Sequence, residues 1–285
     1  MNLASNSQPE SRKLVSFLAI LAFVAAFAMA WWMIDIGQLL FAWCLVLLIF
    51  AAFIFICGNF VTGRWLGALI DERNVMSLSR FPIILWTLLV LSAYFVAVLH
   101  NMALGLSEPM KIEIQEGLWW LMGISTTSLV GSPLILGGKT AKTADASEVS
   151  NTFELLKQQG DEDSTLGTHG LIVVNTDISK ARWSDMFTGE EVGNAAHLDA
   201  ARLQMFFFTL ITALAYAALL GHLFLGDASQ GFPSLPALST SMVALIGISH
   251  AGYLASKASP HSQPGSGLPD QQAAPAGTDE HPAVG

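Results

Sequence analysis

Two apolar stretches of the chain carry the same three polar residue types at the same spacing. These residues are Arg80, Thr87 and Tyr94 in the first stretch and Arg202, Thr209 and Tyr216 in the second. Steps of seven residues span almost two helical turns, so each trio lies on one face of its helix. Such a face inside a membrane suits the lining of a pathway. The alternative is that Arg anchors at lipid head groups while Thr and Tyr bond to neighbouring helices.

A second group of candidate residues lies in the apolar stretches that follow each trio. Ser125 and Thr126 begin a run of four hydroxyl residues, and His250 is the only ionisable residue well inside an apolar stretch. Transporters coupled to protons or sodium generally place carboxylates or paired charges within the membrane. The absence of such charges here argues against a coupled transporter. The repeated polar residues and the hydroxyl run predict passive permeation, through a channel or a solute facilitator, and we predict no catalytic residues.

One enzymatic interpretation rests on Gly123, Ser125 and His250. A Gly-x-Ser in the fourth apolar stretch and a His in the sixth resemble the layout of rhomboid intramembrane serine proteases. The sequence departs from that family at Thr126, where a Gly is expected, and the second stretch has no His. The Gly-Ile-Ser also recurs at 247–249, which packing symmetry explains and catalysis does not. An intramembrane protease is therefore only a remote alternative.

Small residues recur every four positions in the same two stretches. The two series are Gly123, Thr127 and Gly131, and Gly247, Ala251 and Ala255. Small side chains at this spacing let helix backbones approach closely in lipid. We expect these faces to pack helices and to support a homo-oligomer.

The elements that position these residues are long apolar stretches. Of 285 residues, 53% are hydrophobic and only 12% are charged. A membrane span needs about 20 mainly apolar residues. Six stretches meet this requirement: 14–33, 38–57, 81–101, 117–137, 203–225 and 237–256. The sequence predicts an all-α integral membrane bundle of six transmembrane helices, with the lipid bilayer as its first partner.

The last four stretches are predicted to form a tandem repeat. Residues 79–100 align without a gap on residues 201–222, and the Gly-Ile-Ser of 123–125 recurs at 247–249. Two copies with the same order and orientation predict a parallel repeat of a two-helix hairpin, placed after a separate leading hairpin.

The distribution of charge predicts the orientation. Six spans place twelve of the thirteen Lys and Arg on one side and only Lys111 on the other. This positive-inside bias puts both termini in the cytoplasm, so the protein is predicted to be a multi-pass protein of the cell (inner) membrane. A net charge of -9 argues against nucleic acid as a partner. No metal site and no cofactor are predicted.

The polar segment 139–200 supports a second function, that of a membrane scaffold or sensor. Its first part has the composition of a flexible linker, and 171–174 reads as one short strand. A cytoplasmic protein partner would contact Trp183, Glu190, Glu191 and Asn194. The predicted organisation is a disordered N-terminus (1–11), a leading hairpin (12–60), repeat 1 (61–138), a cytoplasmic linker (139–182), repeat 2 (183–257) and a disordered tail (258–285).

Overall fold

A computed structural model describes residues 8–160 and 166–262, and it describes side chains from residue 20 onward. Over these ranges the chain is mostly helical, with 66% helix in seven α-helices. The helices are α1 (Gln8–Asp35), α2 (Leu39–Thr62), α3 (Arg80–Ala103), α4 (Glu116–Thr140), α5 (Ala146–Gln158), α6 (Ala200–Leu225) and α7 (Thr240–Ala258). Of the predicted disordered termini, residues 1–7 and 263–285 lie outside the described residues, whereas residues 8–11 belong to α1 and residues 258–262 are described.

Four of these helices are long and apolar enough to cross a membrane, and they are α2, α3, α4 and α6. Each falls on a stretch for which the sequence predicts a span. The described apolar part of α1 is shorter, Ile20–Asp35, and α7 carries polar residues that lower its hydropathy. The structure is therefore compatible with a multi-pass membrane protein, and six spans remain a prediction.

The helices pack into one bundle in which α7 lies against both α4 and α6, and α2 lies against α1 and α3. Large side chains such as Trp86, Tyr216 and Tyr253 are fully buried between them. Trp43 of α2 donates a hydrogen bond of 3.0 Å to the hydroxyl of Ser92 in α3. The centre of the bundle is thus filled by packed side chains.

The polar segment between α4 and α6 is folded. It contains α5 and an antiparallel hairpin of β1 (Leu166–His169) and β2 (Ile172–Asn175), in which Leu166 pairs with Asn175. Asp145 caps α5 by accepting from the backbone N–H groups of Ser147 and Glu148. The composition predicted a flexible linker and a lone strand. The structure differs because this cap and the burial of Leu156 stabilise a helix there.

Candidate functional site

Glu190 is the centre of an ion cluster at one end of the bundle. It is only 6% exposed. Its Oε1 lies 2.8 Å from Nη2 of Arg202, 3.1 Å from Nη2 of Arg73 and 2.5 Å from Nζ of Lys257. Arg73 precedes α3, Arg202 lies in the first turn of α6 and Lys257 in the last turn of α7. One carboxylate therefore ties three parts of the membrane bundle to the polar segment.

The neighbouring Glu191 extends the same cluster to α4 and to the chain beyond α7. One carboxylate oxygen accepts a hydrogen bond from Nζ of Lys139, at the end of α4. The other accepts from the backbone N–H groups of His261 and Ser262, at 3.0 and 2.9 Å. Lys139 also donates to the carbonyl of Ser259 at 2.8 Å. Glu191 thus holds residues 261 and 262, at the end of the described chain, against the polar segment.

The charges of the cluster balance. Asp71 lies 2.7 Å from Nη2 of Arg73, and Asp199 lies 3.5 Å from Nε of Arg202. Four carboxylates then face four cations: Asp71, Glu190, Asp199 and Glu191 face Arg73, Lys139, Arg202 and Lys257. Removing a charge from water is costly unless an opposite charge and hydrogen bonds replace the water. Each member is therefore held in place by the others.

The shifts of pKa in the cluster follow from this pairing. Burial alone would raise the pKa of the Glu190 carboxyl, but the charges of Arg73, Arg202 and Lys257 outweigh burial and hold that pKa well below its usual range. Burial alone would lower the pKa of Arg73, but Glu190 and Asp71 outweigh it and raise that pKa. Both groups are therefore ionised at neutral pH.

The depressed pKa of Glu190 predicts a loss of stability in acid. Since the folded pKa lies below the unfolded one, the stabilisation by Glu190 is complete above about pH 4.3, the ordinary glutamate value. It is lost as the pH falls through the folded pKa, because the unfolded state binds the proton more readily. Denaturant unfolding in detergent micelles between pH 3 and 7 should show this decline. Glu190→Gln should flatten it, and an unchanged acid slope in that variant would contradict the assignment.

His250 is the polar centre of the bundle interior. Its Nδ1 lies 2.7 Å from the hydroxyl of Ser128, and its Nε2 lies 3.5 Å from the hydroxyl of Thr209. Ser125, which the protease interpretation paired with His250, is buried one turn away and its hydroxyl has no hydrogen-bond partner among the described residues. The serine at hydrogen-bonding distance from His250 is Ser128, which the sequence placed in the hydroxyl run without pairing it with His250.

A sequence signal for Ser128 exists. Ser125, Ser128 and Ser132 are all buried, and their spacing of three and four residues places them on one face of α4. Lys257 of α7 donates to the hydroxyl of Ser132. The hydroxyl face of α4 therefore contacts α7 at two levels: Ser128 at His250 in the bundle interior, and Ser132 at Lys257 beside the ion cluster.

The two predicted polar stripes lie in different surroundings. Arg202, Thr209 and Tyr216 of α6 are all buried, whereas Arg80, Thr87 and Tyr94 of α3 are all partly exposed. Arg80 donates hydrogen bonds to the carbonyl of Ile70 at 2.6 Å and to the carboxylate of Glu72 at 3.0 Å. Tyr94 donates to the carbonyl of Met110 at 3.0 Å. Thr126 is exposed and bonds the carbonyl of Met122 in its own helix. The structure thus brings Thr209 and His250 together but does not gather the two stripes around one lumen.

The small-residue series lie mainly on outer faces of their helices. Gly123, Thr127, Ala251 and Ala255 are exposed, while Gly131 and Gly247 are partly buried beside Leu254 and Ile124. The hydrogen bonds recorded between α4 and α7 use other residues: Ser128 with His250, Ser132 with Lys257, and Lys139 with the carbonyl of Lys257. Packing through the four exposed small residues between copies of the chain stays a prediction.

The residues predicted to contact a protein partner are split by the fold. Trp183 is 45% exposed and stacks edge-on against Phe187 and Phe206, and Asn194 is partly exposed. Glu190 and Glu191 are buried, where they bind cations of the same chain. Of these four residues, only Trp183 and Asn194 are accessible to a partner in this structure.

Comparison with known proteins does not identify a family for this chain. No protein-family model, curated protein or solved structure matches the chain. Among the described residues, no group of three or more His, Cys, Asp or Glu is arranged to hold a metal ion.

Proposed function

We propose that the chain is a membrane scaffold or sensor that acts through its cytoplasmic segment 139–200. The observation that carries this proposal is Glu190, which contacts Arg73, Arg202 and Lys257 from inside that segment. Because a buried charge is costly to separate from its partners, a shift of the segment moves the helix ends with it. The cluster thereby couples events on the segment to the membrane helices, or the reverse.

The segment also offers a place for a small ligand. A cavity of about 240 Å³ lies beside the cluster, with Arg73 and Asn175 among its polar lining and Val75, Leu156 and Val173 among its apolar lining. Small-molecule sites commonly combine an apolar wall with a few polar groups. This cavity supports sensing, because Arg73 belongs to both its wall and the cluster.

Six spans, the repeat and a cytoplasmic segment belong to the same proposal. At 1.5 Å per residue, the 19 residues of α7 reach roughly 28 Å, which is close to the thickness of a bilayer core. An isolated antiparallel bridge precedes each predicted hairpin, Ile70 with Met76 and Thr188 with Leu198. These paired bridges support a parallel duplication. The positive-inside bias supports a cytoplasmic location for the cluster.

Permeation and proteolysis have weaker support. Trp86, Tyr216 and Tyr253 fill the interior where a pathway would run, and Arg80, Thr87 and Thr126 are at least partly exposed, away from it. A protease needs access to its nucleophile, yet Ser125, Ser128 and His250 are all buried.

Two experiments on the full chain separate the proposed function from permeation. In proteoliposomes we expect no flux of K⁺, Na⁺, Cl⁻ or glycerol above that of empty liposomes.

A photo-crosslinking amino acid in place of Trp183 should capture a specific cellular protein. The same probe in place of the exposed Glu108, at the opposite end of the bundle, should not. Flux that falls in Thr209→Ala or Ser125→Ala would overturn the proposal in favour of a channel. Equal capture at both positions would remove the support for a partner.

A further inference from the structure

An apolar groove runs between the end of α2 and the turn that leads to α3. Its volume is about 450 Å³, within the range of ligand sites. The wall from α2 includes Phe53, Cys57 and Val61. The opposite wall is backbone at Gly67 and Ala68, which approaches α2 so closely that a Cβ on Gly58 would lie 2.9 Å from the amide nitrogen of Ala68.

The groove opens toward the membrane. The helix α2 is the most apolar of the four candidate spans, and only 28% of its most apolar part is buried. Phe60 and Val61 near its end are 76% and 84% exposed. Exposed apolar side chains on a membrane span face lipid hydrocarbon, so an acyl chain has direct access to the groove.

The polar end of the groove carries a charge pair. Arg80 and Glu72 both line the groove, and their Nη2 and Oε1 atoms lie 3.0 Å apart. The side chain of Arg80 is 29% exposed and that of Glu72 is 81% exposed, so both remain open to further contacts. The other acid of the groove, Asp71, is occupied by Arg73. The groove therefore presents one guanidinium and one carboxylate at the end of a membrane helix.

We propose that this groove binds one zwitterionic phospholipid with an ethanolamine head group. An acyl chain lies along Phe53, Cys57 and Val61, the phosphate faces Arg80 and the primary ammonium faces Glu72. Guanidinium groups suit phosphate because they offer several N–H donors in a plane. A purely anionic head group meets repulsion from Glu72. A quaternary choline has no N–H to donate to that carboxylate.

Lipid retention by the full-length purified protein tests this proposal. In native mass spectrometry we expect phosphatidylethanolamine adducts to survive at higher collision energy than phosphatidylglycerol or phosphatidylcholine adducts. Cys57→Trp fills the groove and should weaken phosphatidylethanolamine retention about tenfold. Cys44→Trp places the same side chain at an exposed site of the same helix outside the groove, and it should retain the lipid.

The head-group assignment has its own readout. Glu72→Gln should remove the preference for phosphatidylethanolamine over phosphatidylcholine while leaving the protein folded, since Glu72 is exposed. Equal retention by Cys57→Trp and Cys44→Trp would overturn the groove as the site. Equal retention of the three lipids by the unmodified protein would overturn the head-group assignment. Both outcomes are independent of whether the protein is a sensor or a channel.

Discussion

Replacement of Glu190 by alanine is expected to lower the free energy of unfolding by about 3–5 kcal/mol. Among residues 8–160 and 166–262, the substitution removes the one acceptor that Arg73, Arg202 and Lys257 share. Lys257 would keep hydrogen bonds to Ser132 and Tyr253, but no carboxylate would remain at its Nζ among the described contacts. Arg73 and Arg202 would keep Asp71 and Asp199, but Lys257 would be a buried cation with no carboxylate partner and with its hydration lost. The cost comes from that unpaired charge and from the loss of the shared anion between the three cations.

Urea or mixed-micelle unfolding of the full chain at pH 7 measures the effect. The matched control is Glu108→Ala, which removes an ion pair of similar length, 2.8 Å to Lys111, at an exposed position. Exposed pairs contribute about 1 kcal/mol or less. If Glu190→Ala were no more destabilising than Glu108→Ala, the cluster would not lock the segment to the helices, and the proposed coupling would fail with it.

Replacement of Gly193 by alanine is expected to detach the chain beyond α7 from the polar segment. A Cβ at this position would lie 2.0 Å from the carbonyl oxygen of His261 and 2.7 Å from the carboxylate of Glu148. The amide of Gly193 also donates to the hydroxyl of Ser262 at 2.8 Å. Because the carbonyl oxygen of His261 belongs to the backbone, the segment 259–262 must move to make room for the new Cβ. Overpacking of this kind costs about 1–3 kcal/mol.

Hydrogen exchange measures this effect locally. In Gly193→Ala the amides of His261 and Ser262, which donate to Glu191, should exchange faster than in the unmodified protein. The control is Gly137→Ala, because a Cβ at Gly137 meets nothing within 4 Å and lies inside α4. Alanine there should stabilise the helix by about 0.5–1 kcal/mol. Unchanged exchange at 261 and 262 in Gly193→Ala would show that these contacts do not order the segment.

The helices themselves were predictable from the sequence because hydropathy and length act locally. The stretches 81–101 and 203–225 correspond to α3 and α6, and the structure begins them at Arg80 and Ala200. A chain in lipid must satisfy its backbone hydrogen bonds internally, so a long apolar stretch has little choice but to be helical. Local signals also explain the helix ends, since Asp199 caps α6 by accepting from the amides of Ala201 and Arg202.

The polar segment was less predictable because its stability comes from distant contacts. Glu190 and Glu191 look like solvent-exposed acids in a hydrophilic stretch, which is how a partner surface would also look. Their burial depends on cations that are 117 and 52 positions away for Arg73 and Lys139, respectively. No sequence window of ordinary length contains both members of either pair.

Sequence alone determined where the chain is apolar, where the long apolar helices form and which polar residues they carry. The tertiary structure decided which face of each helix is buried, since that depends on which neighbours pack against it. In the folded chain the partner of His250 is therefore Ser128 and not Ser125. Arg202 is buried, whereas its counterpart Arg80 is partly exposed. The tertiary structure also converted two acidic residues of a polar loop into the anchors of the ion cluster, because only the folded chain brings Arg73, Arg202, Lys257 and Lys139 to them.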